Sequence, residues 1–193
     1  IIDEHLLGGK PIDKLLYKDE ENDKLIPKMD DIRFFGKQML IALRNRGIID
    51  PENIEDAIAR GAYKALSKTL TEMEPADVIE EVKKSAIRGR GGGGFPAGVK
   101  WESAYQASVK NNEKPYIVCN GDEGDPGAFM DRSLLEGDPH AVLEGMLIGG
   151  YASGCTEGYI YIRAEYPLAI KRLETALEQM DSSTTLTETP QEL

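Results

Sequence analysis

Between Ile87 and Trp101 the chain reads IRGRGGGGFPAGVKW. Four consecutive glycines, Gly91 to Gly94, cannot sit inside a helix, where each costs about 1 kcal/mol relative to alanine. They leave no side chain for a strand to pack. The stretch is therefore a loop, and it exposes main chain that a ligand can touch directly. Positive charge is gathered around it, on Lys83, Lys84, Arg88, Arg90 and Lys100. Successive N–H groups of such a loop can form an anion-binding concavity, and the helix expected over VKWESAYQA can present its N-terminus behind it.

Two readings of the loop compete. Glycines alone favour a hinge or a tight packing corner. With Arg88, Arg90, Phe95 and Lys100 at fixed offsets, the phosphate of a nucleotide or flavin is the better reading, Phe95 being placed to stack on a flat ring. GRGGGG satisfies G-x-G-x-x-G at Gly89, Gly91 and Gly94. That fingerprint requires a strand before the loop, whereas ADVIEEVKKSAI reads as a helix, so an ordinary Rossmann fingerprint is set aside. No Gly-Lys-Ser/Thr follows, so it is not a P-loop.

The basic island stands out because the 193-residue chain carries a net charge of −11. That balance disfavours nucleic acid and anionic membranes as partners and suits a compact anion. The length fits one domain, or one domain with an appendage. The two cysteines, Cys119 and Cys155, lack CxxC spacing and supply neither a disulfide framework nor a metal or cluster ligand set. They read as small buried hydrophobes in a reduced, cytoplasmic protein. No run approaches the roughly 20 apolar residues of a membrane span, and no signal-peptide pattern opens the chain. The first residue is Ile, so a fragment of a longer subunit is expected.

Residues 1–30 mix charge with Gly8, Gly9, Pro11 and Pro27 and read as an irregular arm or linker. A helical lead-in is expected over 31–86. DDIRFFGKQMLIALRNRG has helical spacing at Phe34, Phe35, Met39, Leu40 and Leu43, with an Asp cap before it and Gly47 as a stop. DPENIEDAIARGAYKALSKTL follows as a helix broken near Gly61, and EPADVIEEVKKSAI starts at Pro75. After the glycine loop come a helix over VKWESAYQASVKN, a buried strand over PYIVCN, an acidic turn-rich loop, a buried helix over HAVLEGMLIGGYASG, a strand over EGYIYIRAEY and an amphipathic helix from Pro167. DSSTTLTETPQEL, over 181–193, reads as a loop or tail. The alternation predicts an α/β layer with parallel strands.

CNGDEGDPGAFMDR (119–132) follows the first of these strands, where ligands of open α/β sheets bind. Asp122, Glu123 and Asp125 can be a solvated turn, or a Ca2+ or Mg2+ site, although the spacing is not that of an EF-hand. They can instead act with the glycine loop. Asn120 and Asp122 then face the polar edge of a ring or a ribityl chain, while Glu123 and Asp125 accept bonds from a ribose diol. His140, after a proline at a helix start, reads as a capping or packing residue. Arg163, Glu165 and Tyr166 form either a surface ion pair with an aromatic cover or another wall of the same crevice.

Taken together, IRGRGGGGFPAGVKW, CNGDEGDPGAFMDR and YIYIRAEYP resemble the FMN-containing, NADH-oxidising subunit of complex I and its relatives in NAD-linked, often electron-bifurcating, hydrogenases and NAD-dependent formate dehydrogenases. GDEGDPGAFMDRS and the lead-in are most similar to the hydrogenase branch. The resemblance covers about residues 30–180. It implies a Rossmann-like FMN-binding α/β domain over 87–180, here partial, with NADH stacked over the flavin.

By position, it assigns Gly89, Arg90, Gly91, Gly92 and Lys100 to the FMN phosphate and chain. Asn120, Asp122, Tyr161, Ala164 and Glu165 fall to the ribityl and ring edge, Phe95 to the adenine, and Glu123 and Asp125 to the nicotinamide or ribose side, Glu123 being the catalytic candidate. Three positions depart from the family pattern. Asp125 stands where many members have Glu, Ser103 where an aromatic is common, and Ala164 where Gly is frequent. The implied function is an NADH:acceptor oxidoreductase subunit that passes electrons to iron–sulfur clusters outside this segment. Its partners would be a thioredoxin-like iron–sulfur subunit and a hydrogenase or similar catalytic subunit. The alternative is a nucleotide-binding assembly or regulatory module without redox activity.

Overall fold

Two parallel strands, β3 (Tyr116–Gly121) and β4 (Glu157–Ile162), lie at the centre of the region that follows the glycine loop. They belong to a computed structural model in which residues 1–187 are described, with side chains described to Asp181. The chain divides into two compact units, Ile1–Ile41 and Ala42–Leu193.

In the first unit, Ile2–Leu7 forms one wide helical turn and Tyr17–Asp19 (β1) pairs antiparallel with Lys24–Ile26 (β2). Residues 1–30 thus contain a small hairpin where an irregular arm was expected. Its turn is fixed by Asp19, which accepts from the Glu21 N–H at 3.1 Å and from Asn22 Nδ2 at 2.7 Å. Such local side-chain bonds specify a turn without any apolar pattern.

The helix expected from Asp30 to Gly47 does not form. Met29–Asp31 makes a short 3-10 turn, and successive turns replace the helix up to Gly47. Four of the five apolar residues that suggested it are exposed, Phe34 at 69 % and Met39 at 86 % among them, and Leu43 is half-buried. Helical spacing without a surface to pack against does not sustain a helix, because most helical stability comes from tertiary packing.

The second unit begins with α1 (Ile54–Ala59) and α2 (Lys64–Glu72), separated at Gly61 (φ +94°) and Tyr63 (φ +63°). The α1 cap is Asn53, which accepts from the Glu55 N–H at 2.9 Å. Next comes α3 (Pro75–Lys84), entered through a capping box between Glu74 and Asp77. After the glycine loop come α4 (Ala97–Asn111), then β3, α5 (Met130–Gly137), α6 (Pro139–Ser153), β4 and α7 (Pro167–Thr187). Sequence patterning missed α5, whose start lies inside the acidic loop. It also placed a loop at 181–187, where α7 continues; residues 188–193 lie outside the described part.

Helix α6 is the hub, buried at both ends and at Leu143 between them. Gly149 lets the Trp101 ring of α4 approach, since a Cβ there would lie 3.0 Å from it. Leu135, Leu143, Tyr166, Ala169, Leu173 and Ala176 form the main core, with Ile160 and Ile162 of β4 packed against it. The inward positions of β3 are Ile117, Cys119 and Gly121, paired with Gly158, Ile160 and Ile162. The opposite face carries Tyr116, Val118, Tyr159 and Tyr161, each 57–60 % exposed. The strand over PYIVCN is thus half-exposed rather than buried, and Cys119 and Cys155 are half-buried.

A buried polar network joins the lead-in to α6 and α7. The Asn45 Nδ2 donates to Asp138 Oδ2 at 2.7 Å, and Asp138 caps α6 by accepting from the Ala141 N–H at 3.1 Å. His140 is fully buried, between the Tyr63 hydroxyl at 2.7 Å and Gln179 Oε1 at 3.2 Å. The Gln179 amide is oriented by its Nε2 bond to the Glu52 carbonyl at 2.7 Å. The imidazole Nε2 therefore donates and its Nδ1 accepts from Tyr63. Packing, one of the two roles expected of His140, is what it performs.

Candidate functional site

The glycine loop is pinned at its base and open at its tip. The Gly89 N–H donates to the Phe95 carbonyl at 2.9 Å, and the Ala97 N–H donates to the Ile87 carbonyl at 2.9 Å. Arg88 Nη1 closes the ring on the Gly94 carbonyl at 3.2 Å. Gly89 is thereby spent on holding the loop. From Arg90 to Gly94 the amides have no partner among the described hydrogen bonds. A Cβ built on any residue of Gly91–Gly94 would meet nothing within 4 Å, so the backbone is bare on the open side. Gly92 (φ +92°) and Gly94 (φ +59°) adopt conformations that other residues rarely take.

The cations sort themselves. Lys83 Nζ is committed to Glu80 at 2.8 Å and Glu102 at 2.7 Å, and the Glu102 bond, then the Glu80 bond, hold its ammonium above the ordinary lysine range. The side chains of Arg90 and Lys100 have no hydrogen-bond or ion-pair partner among the described residues. Lys100 lies in the first turn of α4, whose N-terminus no side chain caps. Gly98, in the same turn, is a packing glycine that sequence reading passed over. A Cβ there would lie 2.7 Å from the Lys83 backbone nitrogen, so α3 and α4 touch main chain to main chain. Phe95 is 57 % exposed beside the loop.

The second assembly lies at the carboxyl ends of the strands. The ladder places Asn120 opposite Tyr161 and Gly121 opposite Ile162. Asn120 Oδ1 accepts from the Asp122 N–H at 2.9 Å, leaving its NH2 outward as a donor. Asp122, Asp125, Tyr161, Ala164 and Glu165 are exposed. The acids do not converge: among the described residues no group of three or more His, Cys, Asp or Glu side chains is placed to hold a metal.

Glu123 is occupied structurally. Its Oε1 accepts from the Met130 N–H at 2.7 Å and the Asp131 N–H at 3.1 Å, and its Oε2 accepts from the Arg132 N–H at 3.1 Å. The carboxylate thus caps α5 from seven residues upstream. Partial burial pushes the carboxyl up, but the three backbone donors and the Tyr166 hydroxyl outweigh that and hold it below the ordinary range. Arg163 ties the Glu123 carbonyl to the end of β4, as does Tyr166, over whose ring the Arg132 guanidinium lies at 5.4 Å. The Glu165 carboxyl is held down by its own backbone N–H and by Arg163. The Cys119 thiol is pushed up by burial and by Asp131, which disfavours its thiolate.

The expected residues therefore form two groups. One is Gly89, Arg90, Gly91, Gly92, Phe95 and Lys100. The other is Asn120, Asp122, Glu123, Asp125, Tyr161, Ala164 and Glu165. No described hydrogen bond or ion pair joins them; the link is through packing, with Trp101 of α4 against Gly149 of α6 and Ile117 of β3 beside the same glycine. Bare amides, unpaired cations and an uncapped helix N-terminus fit a phosphate group, and the half-exposed strand ends fit a polar ring edge.

Residues 82–192 match the family model described as the Nuo51 FMN-binding domain. The chain belongs to that family. It is 58 % identical over 142 residues to the NADP-reducing hydrogenase subunit HndC of Solidesulfovibrio fructosivorans, covering 74 % of this chain and 28 % of that protein. It is 44 % identical over 139 residues to an NADH-quinone oxidoreductase subunit of Rhizobium meliloti, covering 72 % of this chain and 32 % of that one. A solved NAD+-reducing NiFe hydrogenase in its air-oxidised state superposes with a TM-score of 0.57 at 25 % identity, over 95 % of this chain and 28 % of that one. The chain thus spans about a third or less of the relatives it matches. The family model begins inside α3, so it takes in the glycine loop, both strands and the acidic loop.

Proposed function

We propose that this chain contributes the FMN and NADH sites of an NADH:acceptor oxidoreductase subunit. The observation that carries the reading is the pair of unpartnered cations, Arg90 and Lys100, beside unpartnered amides in a protein of net charge −11. The amides of Arg90 to Gly94, with Lys100 and the α4 N-terminus, hold the phosphate of FMN. Gly89 fixes the loop. Asn120, Asp122, Tyr161, Ala164 and Glu165 line the ribityl and ring edge, and Phe95 stacks on the adenine of NADH. Asp125, free at its carboxylate, contacts the ribose side. Glu123 holds the acidic loop in place rather than exchanging a proton.

When bound, FMN supplies the hydride acceptor and passes electrons on singly. The residues of this chain bind and orient the reactants. Partners are the iron–sulfur and catalytic subunits of a multi-subunit redox complex, in the cytoplasm. Among the described residues no helix is long and apolar enough to cross a membrane.

The test is FMN binding by fluorescence quenching. Lys100→Ala should weaken it by about 1.5–3 kcal/mol, the worth of a hydrogen bond to a charged group. Lys84→Ala, which removes a nearby lysine outside the loop, should leave it unchanged. Equal effects of the two would place the phosphate elsewhere.

A further inference from the structure

We infer that Arg163 is a positioning residue that sets the geometry and charge of the ligand-facing strand ends. The inference rests on the proposed FMN reading. Arg163 is the first residue beyond the β4 ladder, as Asp122 is the first beyond β3. One guanidinium serves both ends. Nη1 donates to the Glu123 carbonyl at 2.9 Å, Nη2 donates to Glu165 Oε1 at 2.9 Å, and Nε lies 3.8 Å from Asp122 Oδ1. The Arg163 side chain is 29 % exposed, against 51 % for Asp122 and 63 % for Glu165, so the cation sits behind and the acids stand in front.

The planar fork explains why arginine stands here: two of its nitrogens donate to acceptors on two chain segments while a third faces the Asp122 carboxylate at ion-pair distance, which an ammonium on a flexible stem cannot do at once. Charge is the second part of the role. Asp122, Glu123 and Glu165 put three carboxylates at the strand ends, and Arg163 contacts residues from both. FMN and NADH are anions. Without Arg163 the strand ends lose their shared anchor and present uncompensated negative charge to an anionic ligand.

The test uses Arg163→Lys and Arg163→Gln in the full-length protein, read by FMN dissociation constant at low and high salt and by thermal melting. R163Q should weaken FMN roughly ten-fold or more at low salt, as expected for lost charge-assisted hydrogen bonds. Part of that loss should disappear at high salt, where exposed charges are screened. R163K keeps the charge, so its smaller loss should be nearly independent of salt. FMN binding unchanged in both variants would overturn the inference. So would equal, salt-independent losses in both that track their melting temperatures, because that is the mark of a fold role alone. A wild-type protein that binds no FMN would instead overturn the proposed function, and this inference with it.

Discussion

Replacing Glu123 separates a structural carboxylate from a chemical one. In the structure it accepts from three backbone N–H groups of α5, at 2.7, 3.1 and 3.1 Å, and receives the Tyr166 hydroxyl at 3.4 Å. Glu123→Ala removes a cap, worth about 0.5–2 kcal/mol, and a negative charge at a helix N-terminus, worth about 0.3–1 kcal/mol. The sum, about 1–3 kcal/mol, lowers the melting temperature by roughly 2–4 °C per kcal/mol for a chain of this size. Glu123→Gln keeps an oxygen where Oε1 accepts two of the three bonds, but it loses the charge, about 0.3–1 kcal/mol, and turns an NH2 toward the Arg132 N–H, forfeiting a bond of about 0.5–1.5 kcal/mol, so it should fall between the wild type and Glu123→Ala.

The pH dependence follows from the same contacts. The folded carboxyl titrates below its ordinary value of 4.5, so its stabilisation is complete above that value and is lost as pH falls through the lower folded one. Thermal melts of the three proteins at neutral and acid pH read this directly. The acid-side slope should shrink in both variants. Equal destabilisation by Gln and Ala, or none by Ala, would refute the capping argument. If E123Q melted as the wild type yet lost about a hundredfold in NADH turnover, the carboxylate would be acting on a proton after all.

Gly98→Ala forces a Cβ to within 2.7 Å of the Lys83 main chain, so it should destabilise by about 1–3 kcal/mol in urea unfolding and weaken FMN binding by displacing α4; a neutral result would deny the close helix contact. Burial holds the His140 imidazole below its ordinary value of 6.5, although Gln179 and Asp138 push the other way. Below that value the unfolded chain binds a proton that the folded chain refuses, so stability should fall as pH drops from about 7 to about 5, and the slope should be smaller in a His140→Asn variant.

What the sequence made legible was local. Pro75, Pro167 and the apolar run around Leu143 marked α3, α7 and α6, and the alternation of elements correctly predicted parallel strands. The helix over 30–47 failed because Phe34 and Met39 had the right spacing but stay largely exposed instead of being buried against a core. Tyr116 and Val118 in one apolar run, and Tyr159 in another, cannot by themselves show whether one sheet face or both are covered. At the site, the open loop with Phe95 beside it and the Arg163–Glu165 pair were readable from composition. The cap that Glu123 gives to α5 was not, because it spans seven residues and follows no local capping pattern. The Tyr63–His140–Gln179 chain was equally hidden, since its members are 77 and 39 residues apart.

The most direct test of the account is a visible absorption spectrum of the full-length protein reconstituted with FMN and then mixed anaerobically with NADH, with NADPH run in parallel because HndC is named NADP-reducing. The account predicts a bound flavin spectrum that NADH bleaches. Bound flavin that neither nucleotide bleaches would contradict the oxidoreductase reading and leave a nucleotide-binding module; no bound flavin would contradict the FMN site itself.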